Sequence, residues 1–304
     1  MNNIIEIKNL TKSYGKLKAV DNLSFKVKRG ELFAFLGVNG AGKSTTISIM
    51  CGALKEDEGS VVIDGISEKG SMQKIKESLG VVFQNSVLDM ALSVYDNLQI
   101  KASLYGIVGP AFEERLNELS DLLDLKDLLR RRVGKLSGGQ KRRIDIARAL
   151  FHHPKILILD EPTTGLDPQT RKLIWSVIES LRAKEGLTVF LTTHYMEEAA
   201  DADYVVILDS GKIVAEGSPH DLKNKFVRDF VTLYRVREED VKALGIPYEK
   251  VGEAYRISVK DTAEALSLIN KYPDIFFDIE IIKGKMDDVF LAVTGKSLVG
   301  GDKE

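Results

Sequence analysis

Short apolar runs separated by turn residues open the chain. They fall at residues 3–8 (NIIEIK), 22–28 (NLSFKVK), 31–36 (ELFAFL), 60–63 (SVVI) and 80–83 (GVVF), and each predicts a β-strand. From residue 93 to about residue 127 the spacing becomes helical, with Leu116, Leu119, Leu122 and Leu123 on one face. Strands and helices then alternate: ILIL at 156–159, a helix from 168 to about 184, TVFLTT at 188–193, a short helix, and YVVIL at 204–208. The runs ILIL and VVIL contain no polar position, as expected of parallel strands covered on both faces. This order predicts an α/β fold, a layered core interrupted by a helical insertion at about residues 85–150.

A second pattern begins after a polar seam at residues 218–228 (SPHDLKNKFVR). DFVTLYRV, a helical stretch, AYRISV, the helix TAEALSLINKY, IFFDIEII and DDVFLAVTG follow in a βαβαβα-like order. They predict a small α+β accessory domain over residues 225–304, with 1–224 as the larger domain. The apolar surface of IFFDIEII and DDVFLAVTG is more than so short a segment easily buries alone. It is expected to pack on the larger domain, on a second subunit, or on both, with support of a dimer favoured over a brake on the reaction. The tail LVGGDKE is expected to fray.

Composition narrows the classes. Hydrophobic residues make up 44% and charged residues 29% of the 304, ordinary for a globular protein, and a net charge of −2 gives no overall basic balance for nucleic acid. Arg130, Arg131, Arg132, Lys135, Lys141, Arg142, Arg143 and Arg148 form a local basic cluster, read as a solvated helix face rather than a polyanion site. The single cysteine, Cys51, excludes an internal disulfide and is read as a small core residue. His152 and His153 are neighbours without metal-ligand spacing. No apolar run reaches the ~18 residues of a membrane span, and no signal pattern opens the chain, so any service to a membrane is expected from the cytosolic side.

Candidate chemistry begins with GVNGAGKST at 37–45. Gly37, Gly42, Lys43 and Ser44 match the G-x-x-x-x-G-K-[ST] pattern between a predicted strand and helix. Glycine lets backbone N–H groups curl round a phosphate, and a helix N-terminus adds its dipole. The loop residues Gly37, Asn39, Gly40, Ala41, Gly42, Lys43, Ser44 and Thr45 are therefore expected to bind nucleotide, with Lys43 on the β/γ-phosphates and Ser44 on Mg²⁺. ILILDEP at 156–162 ends a buried strand in Asp160, a carboxylate for Mg²⁺, followed by Glu161, placed to polarise a water. A second glycine loop, LSGGQ, comprises Ser137, Gly138, Gly139 and Gln140 without any following Lys-Ser/Thr. It suits one anionic end of a ligand held elsewhere, or it is simply a helix cap.

Taken together, Tyr14, GVNGAGKST, Gln84, LSGGQ, ILILDEP, GLD at 165–167 and His194 resemble, in order and spacing, an ABC transporter ATPase subunit over residues 3 to about 224. The resemblance implies a P-loop NTPase fold with an antiparallel β subdomain and a helical insertion. It implies a head-to-tail dimer of two copies, each ATP lying between the first loop of one and LSGGQ of the other. It implies adenine stacking by Tyr14, contact of Gln84 with Mg²⁺ and the attacking water, and γ-phosphate contact by His194. Asp167 is implied at the dimer seam, with helix capping as a compatible role. ATP and Mg²⁺ are the implied ligands, and an integral-membrane permease the further partner, with the chain peripheral on the cytoplasmic face. QNSVLDMALSVYDNL, LDEPTTGLDPQTR and KMDDVFLAVTGKSL resemble the drug-resistance and exporter branch, with Ser93, Asp96 and Val38 where Thr, Glu and Pro are usual. A soluble ATPase uncoupled from transport and a non-hydrolysing ATP-binding regulator are the alternatives.

Overall fold

In a computed structural model of the chain, the structure describes residues 3–68, 70–193 and 195–296. The tail expected to fray and His194 lie outside these residues.

Two long strands, β1 (Asn3–Tyr14) and β2 (Leu17–Lys28), pair antiparallel across a turn at Gly15, whose φ of 61° needs no Cβ. Both extend beyond their predicted apolar runs, because polar residues on the open face continue the ladder. Next come β3 (Leu32–Gly37), α1 (Lys43–Met50), β4 (Glu58–Ile63), β5 (Ile66–Ser67), α2 (Met72–Ser78) and β6 (Leu79–Val82). The predicted insertion is α3 (Val94–Ser103), α4 (Pro110–Leu122), two short 3-10 turns and α5 (Gly138–Leu150). Ser93 and Asp96 start α3 with a reciprocal capping box, so the substitutions noted there preserve the helix start. The alternating region supplies β7 (Ile156–Asp160), α6 (Pro168–Glu185), β8 (Thr188–Thr192), α7 (Met196–Ala200), β9 (Tyr204–Asp209) and β10 (Lys212–Gly217). The last strand was not anticipated, because its sequence KIVAEG has only one buried position.

β2-β1-β4-β5 form an antiparallel sheet, and β10-β9-β3-β8-β7-β6 a second sheet in which β9, β3, β8, β7 and β6 run parallel. Alternation along β3 sends Phe33 and Phe35 to one face. There they meet Phe25 of β2, with ring centroids 5.4 and 5.2 Å away, and Phe190 of β8, at 5.3 and 5.2 Å. Burial of each such ring contributes about 1.5–3 kcal/mol, and through Phe25 the cluster joins the antiparallel sheet to the parallel one.

One polar feature ties the insertion to this core. His152, just past α5, stacks on Tyr105 with centroids 3.9 Å apart and donates from Nε2 to the Leu79 carbonyl of β6 at 3.0 Å. Burial, with Lys101 adding to it, pushes the His152 pKa from 6.5 down to about 4. The neutral ring therefore stabilises the fold fully above pH 6.5, and that contribution falls as pH drops toward 4. Urea denaturation across this window is expected to show falling stability, and His152→Phe, which keeps the stack but cannot titrate, a shallower fall. Equal slopes in the two proteins would refute this.

The chain divides into two compact units, one of residues 1–194 and 202–214, the other of residues 195–201 and 215–304. The second holds α8 (Pro219–Phe226), β11 (Asp229–Leu233), α9 (Glu238–Ala243), β12 (Tyr248–Val251), β13 (Ala254–Val259), α10 (Thr262–Lys271), β14 (Ile279–Ile282) and α11 (Met286–Thr294). Its antiparallel sheet has the order β12-β13-β11-β14. The unit starts earlier than the compositional seam and takes in α7, because α7 and α8 both pack on α11. β12 escaped the sequence reading for want of an apolar pattern. The expected strand IFFDIEII is shorter, since Ile275 and Phe276 close a turn onto the Tyr272 carbonyl. Val231, Leu233, Val241, Tyr255, Ile257, Val259, Ala265 and Phe276 give this unit a core of its own.

Candidate functional site

The parallel strands β3, β8, β7 and β6 are immediate neighbours, so their carboxyl ends open on one edge of the sheet. Such an edge is where α/β sheets bind ligands. β3 runs into the 37–45 loop, β7 ends at Asp160 before Glu161, and β6 leads to Gln84. β8 ends at Thr192, two residues before His194.

The loop itself is shaped by close approach. Gly40 and Gly42 hold φ of 80° and 107°, and a Cβ on Gly42 would stand 2.4 Å from the Ala19 carbonyl oxygen of β2. Gly37 is equally confined, against Ala41 and the Leu208 backbone. Helix α1 begins at Gly42 with no side-chain cap, leaving its first N–H groups directed at the loop mouth. Lys43 is buried and its Nζ donates to the carbonyls of Gly37 at 2.5 Å and Val38 at 3.2 Å. Burial holds its pKa below the usual lysine range, with Glu161 and Asp160 opposing that shift. Asn39, Gly40 and Ser44 are exposed, Thr45 is half-buried and Ala41 is buried. Tyr14, 52% exposed, ends β1 on the same hairpin as Ala19.

At the neighbouring strand ends, buried Asp160 accepts a hydrogen bond from Thr192 Oγ1 at 2.5 Å, across the β7–β8 register. Glu161 is buried, with φ of 48°, and its Oε2 accepts from Gln84 Nε2 at 2.9 Å. Gln84 and Glu161 are thus in direct contact, with Asp160 next to Glu161 in the chain. Ser44, Gln84 and Asp160 offer oxygen donors of the kind a hard divalent cation takes, and the uncapped α1 terminus with its glycine curl fits a polyphosphate.

LSGGQ realises the capping alternative in full. Gln140 N donates to Ser137 Oγ at 3.2 Å, and Ser137 N to Gln140 Oε1 at 3.0 Å. Gly138 faces open space, while a Cβ on Gly139 would lie 3.0 Å from Thr170 Oγ1 and 3.5 Å from Asp167 Oδ2. Asp167 caps α6, accepting from Thr170 N at 2.9 Å and Thr170 Oγ1 at 2.7 Å, and these bonds hold its carboxyl below the usual range. LSGGQ and Asp167 therefore share one surface.

The basic cluster is not the uniform solvated face expected. Arg142 is buried, and its guanidinium donates to the carbonyls of Pro162 at 2.6 Å, Glu161 at 2.9 Å, Asp160 at 3.0 Å, and to that of Phe83. Arg143 holds the Leu123 and Asp124 carbonyls. Arg142 and Thr192 are the site residues the sequence reading missed. Arg142 was legible from helical phase, since it lies on the same face as buried Asp145, Ile146 and Ala149. Cys51 is half-buried, its thiol pushed up to about 12 by burial, consistent with an inert core position.

The sequence profile of the ABC transporter family matches residues 20–164. The chain is 36% identical over 303 residues to the Nod factor export ATP-binding protein I of Cupriavidus pinatubonensis (strain JMP 134 / LMG 1197), covering 97% of this chain and 92% of that one. It is 41% identical over 226 residues to the probable multidrug ABC transporter ATP-binding protein YbhF of Escherichia coli (strain K12), 74% of this chain but only 39% of that protein's length. A dimeric ATP-binding cassette in a post-hydrolysis state, bound to ADP and Pi, superposes with a TM-score of 0.66 at 30% identity, over 71% of this chain and 98% of the other.

Proposed function

The chain belongs to the ABC transporter ATP-binding proteins, and on that premise we propose that it is a Mg²⁺-dependent ATPase that closes as a head-to-tail homodimer on ATP and powers an integral-membrane exporter. The observation that carries this reading is the meeting of the 37–45 loop, Asp160, Glu161 and Gln84 at the carboxyl ends of neighbouring parallel strands.

The loop N–H groups and Lys43 hold the phosphates and neutralise their charge. When bound, Mg²⁺ adds further charge neutralisation on the phosphate oxygens, with Ser44, Gln84 and Asp160 holding it. Glu161 orients the attacking water and takes its proton, with its carboxylate fixed by Gln84 Nε2 at 2.9 Å. His194 contacts the γ-phosphate, and Tyr14 stacks on adenine. Ser137, Gly138, Gly139 and Gln140 close on the nucleotide of the second copy, with Asp167 beside them at the seam. Each chain thus holds half of two sites.

Export is supported by the similarity to a Nod factor export protein and to a probable multidrug one. From just after β6 to the residue that follows α3, Phe83, Met90, Ile100 and Leu104 are exposed apolar side chains of the kind a permease would cover. No helix among the described residues is long and apolar enough to cross a membrane, and on this reading a permease is the partner that would hold the chain at the cytoplasmic face. Phosphate release is expected to require Mg²⁺, and specific activity to rise with protein concentration, since each site needs two chains. A rate indifferent to concentration removes the head-to-tail dimer. Failure to co-purify with a polytopic membrane protein from its own cells removes the exporter.

A further inference from the structure

Arg142 stands on the second turn of α5, the helix that begins at the LSGGQ loop. Burial of a guanidinium is unfavourable unless its donors are matched. Here they are matched by main-chain carbonyls, with the carboxylates of Asp145, Asp160 and Glu161 close enough to favour the charge. Three of those carbonyls, on Asp160, Glu161 and Pro162, are consecutive in the chain. In an extended strand successive carbonyls point to opposite sides, so their convergence on one group requires the backbone to curl. The curl falls at Glu161, whose φ of 48° is one a non-glycine residue holds when its surroundings impose it. The remaining carbonyl, on Phe83, immediately precedes Gln84.

One side chain therefore fixes the backbone on both sides of the Gln84–Glu161 hydrogen bond. We propose that Arg142 is a positioning residue for hydrolysis: it sets the Glu161 carboxylate and the Gln84 amide against the attacking water, and links them to the LSGGQ helix. Movement of α5 as LSGGQ engages a nucleotide is transmitted through the guanidinium to Glu161. A planar fork with five donors can serve carbonyls from two strand ends at once, whereas a lysine ammonium is a point charge with three. This role rests on the ATPase reading.

The test compares Arg142→Lys and Arg142→Gln with the wild type at saturating Mg²⁺ and ATP, alongside equilibrium ATP binding and thermal unfolding. The lysine variant keeps the charge and much of the buried stem, so it guards against a result due to unfolding alone. Both variants are expected to lose about 10²-fold in kcat, as misplacement of a reacting group by an ångström does, while ATP affinity changes by less than about threefold. A purely structural role would lower affinity and melting temperature together with turnover. Near-wild-type kcat in Arg142→Lys, or parallel loss of kcat and affinity in both variants, overturns the proposal. Absence of turnover in the wild type is the separate result that defeats the ATPase reading, and the positioning role falls with it.

Discussion

Replacing Glu161 by glutamine is expected to lower kcat about 10³-fold while leaving ATP binding intact, within the range for loss of a general base. The amide keeps the shape and the acceptor that meets Gln84 Nε2, and the side chain beyond Cβ does not alter the φ of 48° at this position. It cannot take the water's proton. With binding preserved and hydrolysis stalled, ATP remains as the ligand that favours the closed pair, and linkage stabilises whichever state binds it better. Gel filtration with ATP should then show a stable dimer of the variant. A monomer with near-normal turnover would refute both the role of Glu161 and the coupling of hydrolysis to dimer opening.

Lys43→Ala is expected to abolish tight ATP binding. The loss should be about 2–5 kcal/mol, roughly thirtyfold to several thousandfold in Kd, as when one partner of a buried charge pair is truncated. Lys43 is already buried at the loop and held by the Gly37 and Val38 carbonyls, so it meets the phosphates without a large search through rotamers. Burial lowers its pKa, and negative charge from the phosphates acts against that shift, favouring the charged ammonium. Equilibrium binding of labelled ATP checks this, and an unchanged Kd would contradict the assigned role. The two variants separate binding from chemistry, since one should lose the ligand and the other should retain it.

Much of this site was legible in the sequence because its chemistry depends on short contiguous segments. The 37–45 loop, Asp160 with Glu161, and LSGGQ each carry glycine or acid spacing that a local backbone geometry requires. The fully buried strands were equally plain, as ILIL tolerates no polar side chain. What escaped depends on partners distant in the chain. Arg142 looked like one more charge in a basic cluster, and its use is defined only by carbonyls from residues 83 and 160–162. Thr192 matters because the register sets it opposite Asp160. β10 and β12 are short, mostly unburied edge strands without alternation of apolar and polar positions, so only the ladder beside each reveals them.

The strand order also sets when the chain becomes competent during synthesis. β8 lies between β3 and β7, yet residues 188–192 leave the ribosome well after residues 32–37 and 156–160. Translation at ~5–20 residues per second puts roughly 2–6 s between the completion of β7 and that of β8. Through that interval the strand bearing the phosphate loop and the strand bearing the acidic pair have no bridge. Their facing edges are open for pairing with the wrong segment or with another nascent chain. Completion of one five-residue strand closes that gap and joins the two halves of the site in a single step.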